Sequence, residues 1–305
     1  MKLDTLHRMH ARHLAALRRS PATIEFYRFA LEPLEKFLHE QDLEPDADLV
    51  TRGLLQEFQL WLRTSRGLQP GGEHAVMRGL RATFRWAHEE ELIARDPTAK
   101  LRLPTLPQEH PPAVQPDEVE RCLRVATGMP QPLRNRALLL CLYDTGLRLG
   151  EVIALRVEDV NMETGLITVR AETAKRQKAR VVPMGVKTAK AMNAYERKER
   201  RPVVPHVREM FLSRTGEPMT RGVLTHLMCK VASTAGLPRA HTAPHAWRHG
   251  FATQYLRNGG DMFSLQQIMG HTSLEMVRRY VRFLPDDLQN KHLRSSPVDH
   301  LGKKR

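Results

Sequence analysis

Arg148, Lys175, His245, Arg248, His271 and Tyr280 follow one another along the chain and together offer three cations, two imidazoles and a phenol. Guanidinium groups fork onto phosphate oxygens. An imidazole or an ammonium group moves protons, and a phenol becomes a nucleophile once its proton is taken. The set contains what is needed to grip a phosphodiester and attack its phosphorus.

Each member has a plainer use when taken alone. Arg148, within Thr145-Gly-Leu-Arg-Leu-Gly-Glu151, stands at a helix start, where backbone N–H groups also face an anion; the plainer use is a surface ion pair with Glu151. Lys175 shares a polar turn with Arg176, Lys178 and Arg180. It could reach a neighbouring site and give up a proton, whereas a solvated tip touching an anionic backbone describes at least two of these four cations. His245 and Arg248 open a helix whose first turn holds Pro244, and three-residue spacing puts them on one face. Trp247, Phe251 and Tyr255 take another face, toward the core. Gly270 closes a short helix over 264–269 and sets His271 directly after the stop. Thr272-Ser-Leu-Glu275 has the form of a capping box, opening a helix with Tyr280. Beside Met276, Val277 and Val281, a tyrosine more often serves in packing.

These residues need a scaffold. Ile24, Tyr27, Leu31, Leu34 and Leu38 recur at helical spacing over 21–40 after Ser20–Pro21. A second helix follows Thr51, and a third has Met77, Leu80, Phe84, Ala87 and Leu92 before Asp96–Pro97 ends it. Residues 1–103 thus read as a small all-helical domain. Residues 104–116 form a proline-rich, semi-rigid linker, and 117–305 a second domain. That domain opens with helices over 117–125, 132–144 and 147–155. Leu166–Arg170 and Arg180–Met184 are β-branched strands around the cationic turn, and Pro183 confines the second to an edge or a strand end. Helical spacing resumes from residue 186.

The formal charge of +14 is unevenly spread. Residues 1–103 hold 16 Lys and Arg against 15 Asp and Glu, and 104–305 hold 32 against 19, so the basic surface that attracts polyanions belongs to the second part. Cys122, Cys141 and Cys229 are too scattered for a metal motif or a disulfide framework. His245 and His271 lack the carboxylates a zinc site would need. No apolar run reaches the length of a membrane span, and Met1–Ser20 has no signal-peptide core. A cytoplasmic protein without metal or cofactor is expected.

The segment around Arg148, the hairpin Lys175, His245–x–x–Arg248, Gly270–His271 and Tyr280 nine residues later together resemble the tyrosine recombinase, or phage integrase, family. The likeness spans essentially the whole chain. It implies a mainly α fold: a helical SAM-like core-binding domain that clamps DNA, and a mostly helical catalytic domain with a small antiparallel β-sheet. It further implies that Tyr280 attacks a DNA phosphodiester, leaving a 3′-phosphotyrosine and a free 5′-hydroxyl. Arg148 and Arg248 would bind the nonbridging oxygens, Lys175 would protonate the departing 5′-oxygen, His245 would assist proton transfer at Tyr280, His271 would support the phosphate and Glu151 would orient its neighbours. Because the phosphotyrosine conserves bond energy, religation needs neither ATP nor a metal.

Where relatives often flank the hairpin lysine with glycines, this chain has Ala174-Lys175-Arg176, and Lys178 competes for the role. The sequence Arg-Val-Val-Pro-Met after it favours Lys175. Met269 replaces a common leucine, a conservative packing change. The implied activity is site-specific recombination of double-stranded DNA by four protomers at synapsis, with a monomer as the alternative when free. Two other readings share the scaffold. A type IB topoisomerase usually has lysine where His245 stands, and a non-enzymatic DNA-binding protein would be expected to lose members of the set. The polar tail Leu284–Arg305 is expected to dock on a neighbouring protomer.

Overall fold

The computed structural model describes residues 1–104, 112–173, 178–271 and 273–281, with the single residues 296 and 298. The chain divides into two compact units, Met1–Glu109 and His110–Arg305. The division falls inside the proline-rich stretch.

The first unit consists of α1 (Leu3–Ala16), α2 (Pro21–Glu40), α3 (Arg52–Thr64) and α4 (Pro70–Glu89). Ser20 caps α2 by accepting from the Thr23 N–H, and Thr51 caps α3 by accepting from that of Leu54, which satisfies donors that a helix start leaves unpaired. Leu31, Leu34, Phe37 and Leu38 of α2 face Phe58, Leu80 and Phe84 in one core. α4 stops short of Asp96–Pro97: Glu91 turns left-handed at φ 57° and the Leu92 N–H returns to the Ala87 carbonyl, closing the helix end.

α1 is a helix that leucine spacing alone does not announce, because a histidine stands within its core stripe. His10 is buried beside Leu3, Leu6 and Leu14. It stacks on Trp86 at 4.6 Å and its Nδ1 lies 3.2 Å from Thr83 Oγ1. Burial, and secondarily the charges of His13 and His7, push its pKa down to about 4, so the imidazole packs as a neutral ring.

The second unit contains α5 (Pro116–Thr127), α6 (Pro132–Thr145), α7 (Leu149–Ile153), β1 (Val160–Asn161), β2 (Leu166–Val169), β3 (Arg180–Pro183), α8 (Val186–Lys198), α9 (Arg221–Thr234), α10 (Pro244–Arg257), α11 (Met262–Met269) and α12 (Glu275–Val281). The three strands form an antiparallel sheet in the order β1-β2-β3, with Ile167 opposite Val182 and Val169 opposite Arg180. Pro183 ends the edge strand β3, where its missing N–H interrupts nothing. β1 is two residues long, too short to leave an alternating pattern in the sequence. The fold is mainly α with a small antiparallel sheet, as the resemblance implies.

α6 runs through this unit against α5, α8 and α10, and Trp247 and Phe251 of α10 are buried in the same core. The end of the proline-rich stretch joins that core as well. Val114 is 1% exposed and its N–H donates to the Ala246 carbonyl at 3.1 Å, so this residue braces α10. Among the described residues, no helix is long and apolar enough to cross a membrane.

Candidate active site

Arg148 is the N-cap residue of α7, directly after the left-handed Gly146 and Leu147. Its backbone N–H donates to Glu151 Oε2 at 2.9 Å, its Nη1 to Glu151 Oε1 at 2.9 Å and its Nη2 to the Gly270 carbonyl at 3.2 Å. The ion pair expected at a surface is therefore present but is not a surface pair. Glu151 is 2% exposed and also takes both prongs of Arg180, at 3.0 and 2.7 Å. Burial pushes the Glu151 carboxyl up, but Arg180, and then Arg148, outweigh it and hold the pKa below the usual range. The group is an anion throughout the neutral range, compensated by two cations.

Arg248 projects from α10 into the core and is 6% exposed. Nη1 donates to the Gly146 carbonyl, and Nη2 donates to the Met269 carbonyl at 2.6 Å and lies 3.3 Å from His271 Nε2. Desolvation, followed by repulsion from Arg148, lowers its pKa to about 10, while Glu151 and Tyr280 act in the opposite sense. Gly146 is required where it stands. At φ 57° it turns α6 into α7, and a Cβ there would sit 2.2 Å from Phe251 Cδ1. The arginine's anchor thus depends on a residue with no side chain.

α11 ends at Gly270, left-handed at φ 61°, and the carbonyls of Met269 and Gly270 turn back to accept from Arg248 and Arg148. His271 follows, half-buried. Burial, then Arg248, Arg148 and Arg180, push its pKa down to about 4. Its ring lies parallel to that of Tyr280, 11° between planes and 6.4 Å between centroids. Tyr280 is 6% exposed on α12. His249 meets the Tyr280 ring edge-on at 5.5 Å and faces His245, one turn back on α10, at 6.5 Å. His245 itself is exposed.

Arg148, Glu151, Arg248, His271 and Tyr280 are thus drawn together around one turn, Met269–His271, by four helices. His245 joins them through His249. Lys175 lies outside the described residues, as do Thr272 of the expected capping box and, apart from 296 and 298, the tail. Lys178 is described and exposed. Among the described residues, no group of three His, Cys, Asp or Glu side chains could hold a metal ion.

Two residues of the site, Arg180 and His249, are not marked out by their local sequence. Arg180, counted among the turn cations and as the first residue of a strand, stands inward on β3, in line with the buried Val182 and opposite the buried Val169. The signal was the two-residue alternation of the strand: a cation on an inward face requires a buried carboxylate. His249 lies four residues after His245 and beside Arg248, and only its contact with α12 distinguishes it from a surface histidine.

Residues 112–286 match the phage integrase family, and residues 5–103 the phage integrase SAM-like domain. The chain is 32% identical over 275 residues to the tyrosine recombinase XerD of Pseudomonas putida, covering 89% of this chain and 90% of that one. It is 32% identical over 261 residues to the tyrosine recombinase XerC of Xanthomonas campestris pv. campestris, covering 86% and 78% respectively. Among solved structures, the Tn1549 transposon integrase in complex with transposon right end DNA matches with TM-score 0.73 at 23% identity, over 96% of this chain and 99% of that one. The lambda integrase dimer bound to a core site matches with TM-score 0.72 at 18% identity, over 90% and 97%; at these identities the likeness is one of fold. By its family matches and its curated relatives, this chain belongs to the phage integrase family and is a tyrosine-type site-specific DNA recombinase, an enzyme that cuts and rejoins DNA strands.

Proposed function

We propose that Tyr280 is the nucleophile and that Arg148, Arg248, His271, His245 and Lys175 serve it on one phosphate of duplex DNA. The phenolic oxygen bonds to phosphorus and the bond to the 5′-oxygen breaks, leaving a 3′-phosphotyrosine. His245 takes the phenol's proton, and Lys175 donates one to the leaving oxygen. Rejoining is the same step reversed by a 5′-hydroxyl, so no ATP or metal is consumed. Arg148 and Arg248 hold the nonbridging oxygens as charge develops, with Glu151 orienting Arg148. His271 adds a neutral donor. The observation that supports this most is the convergence of both arginines on the turn that also presents His271 against Tyr280.

In this reading residues 1–103 are the core-binding domain, 104–116 the linker and 117–305 the catalytic domain. Four protomers exchange strands at synapsis, in the cytoplasm where the DNA is. The test uses nicked suicide duplexes bearing the site that the protein selects from fragmented host DNA. Wild type is expected to form a covalent adduct stable to denaturation, and Tyr280→Phe to bind without forming one. An adduct from Tyr280→Phe would remove Tyr280 from the role. Relaxation of arbitrary supercoiled plasmids by monomers would favour the topoisomerase reading.

A further inference from the structure

We propose that Arg180 is a positioning residue for phosphate binding: it holds the Glu151 carboxylate and thereby sets the orientation and residual charge of Arg148. The inference rests on the reading of Arg148 as a phosphate ligand.

Glu151 is a shared acceptor. Oε1 receives Arg148 Nη1 and Arg180 Nη1, and Oε2 receives the Arg148 backbone N–H and Arg180 Nη2. With 2% exposure the carboxylate has almost no water to solvate it, so its charge is balanced by its partners or not at all. One carboxylate and one guanidinium form a neutral pair, in which Arg148 would have little attraction left for an anion. Adding Arg180 leaves the triad with a net charge of +1. The more exposed member is Arg148, at 22% against 11% for Arg180, so the excess charge faces outward through Arg148.

Arg180 also ties the parts together. Its Nε donates to the Ile268 carbonyl at 2.8 Å in the last turn of α11. Its side chain packs under Gly270, where a Cβ would stand 3.2 Å from Arg180 Cδ. The first residue of β3 therefore grips both the α7 carboxylate and the helix end that presents His271. Arginine suits this because its planar fork meets both carboxylate oxygens while Nε serves a third acceptor.

Single-turnover cleavage of the nicked suicide duplex, at saturating protein, tests the idea. Arg180→Gln is expected to slow cleavage by the folded, DNA-saturated protein about 100-fold, and to lower the unfolding midpoint because the buried Glu151 carboxylate loses a partner. Adding Glu151→Gln removes the charge that then neutralises Arg148, so the double variant is expected to cleave at least about 10-fold faster than Arg180→Gln. A merely structural contact gives no such rescue. Should Arg180→Gln fail to fold, Arg180→Met, which keeps bulk and removes the charge, makes the same comparison with and without Glu151→Gln. Cleavage by Arg180→Gln within about twofold of wild type, or a double variant no faster than the single, would overturn the inference alone. Absence of any adduct from wild type would overturn the underlying reading, and this inference with it.

Discussion

Arg248 Nη2 lies 3.3 Å from His271 Nε2, and this contact determines the state of the imidazole. A guanidinium can only donate, so Nε2 accepts and the ring's one proton resides on Nδ1. Burial and three arginines push the pKa to about 4, so His271 is neutral at every pH at which duplex DNA is handled. Nδ1 is buried with no hydrogen-bond partner among the described residues, an unsatisfied donor that would meet a phosphate oxygen once DNA binding uncovers it.

His271 is therefore expected to act as a hydrogen-bond donor and not as an acid. In an NMR titration its imidazole resonances should stay unshifted from pH 8 to about 5 and move only near pH 4. His271→Ala should slow adduct formation by about 100-fold, the loss of one oxyanion-type donor. A midpoint near the ordinary 6.5 would contradict the assignment.

The general acid is expected to be Lys175 and not Lys178. Lys175→Ala should lose about 100-fold or more in cleavage, the usual worth of a positioned proton donor, and Lys178→Ala much less. A substrate whose leaving group is a 5′-thiol needs no proton on departure. Its cleavage by Lys175→Ala should return to near the wild-type rate, and rescue of Lys178→Ala instead would reverse the assignment.

His10 should make the first unit acid-sensitive. In the folded chain its pKa is about 4; in the unfolded chain it is near ~6.5. Between these values only the unfolded state binds the proton, so stability is complete above the unfolded value and falls as pH drops toward 4. The group's contribution is about 3 kcal/mol at most. His10→Phe, which keeps a ring against Trp86, should flatten this part of the dependence in denaturant unfolding of the full chain. An unchanged slope between pH 6.5 and 4.5 would show that other groups govern it.

Much of the scaffold was legible because its signals are local. Ser20 and Thr51 mark helix starts by what their hydroxyls accept, Gly270 marks a stop, and Pro183 marks a strand end. α1 was hidden because a histidine fills a core position that a pattern of leucines would have revealed. β1 was hidden because two residues hold no period. Arg148, Arg248, His271 and Tyr280 could be picked out by type and order, whereas Arg180 and His249 looked like ordinary members of a cationic turn and a helix face.

The sequence by itself determined which groups are present, most of the helix starts and stops, and that a glycine interrupts the chain shortly before Arg148 and directly before His271. Only the tertiary structure decided their electrical states. It set one carboxylate, Glu151, between two guanidiniums, placed Arg248 against His271, and laid a buried Tyr280 between two imidazoles. Charge state depends on burial and on distances between residues as much as 122 positions apart, as with Arg148 and Gly270. No local pattern encodes those distances, because they exist only once the helices have packed.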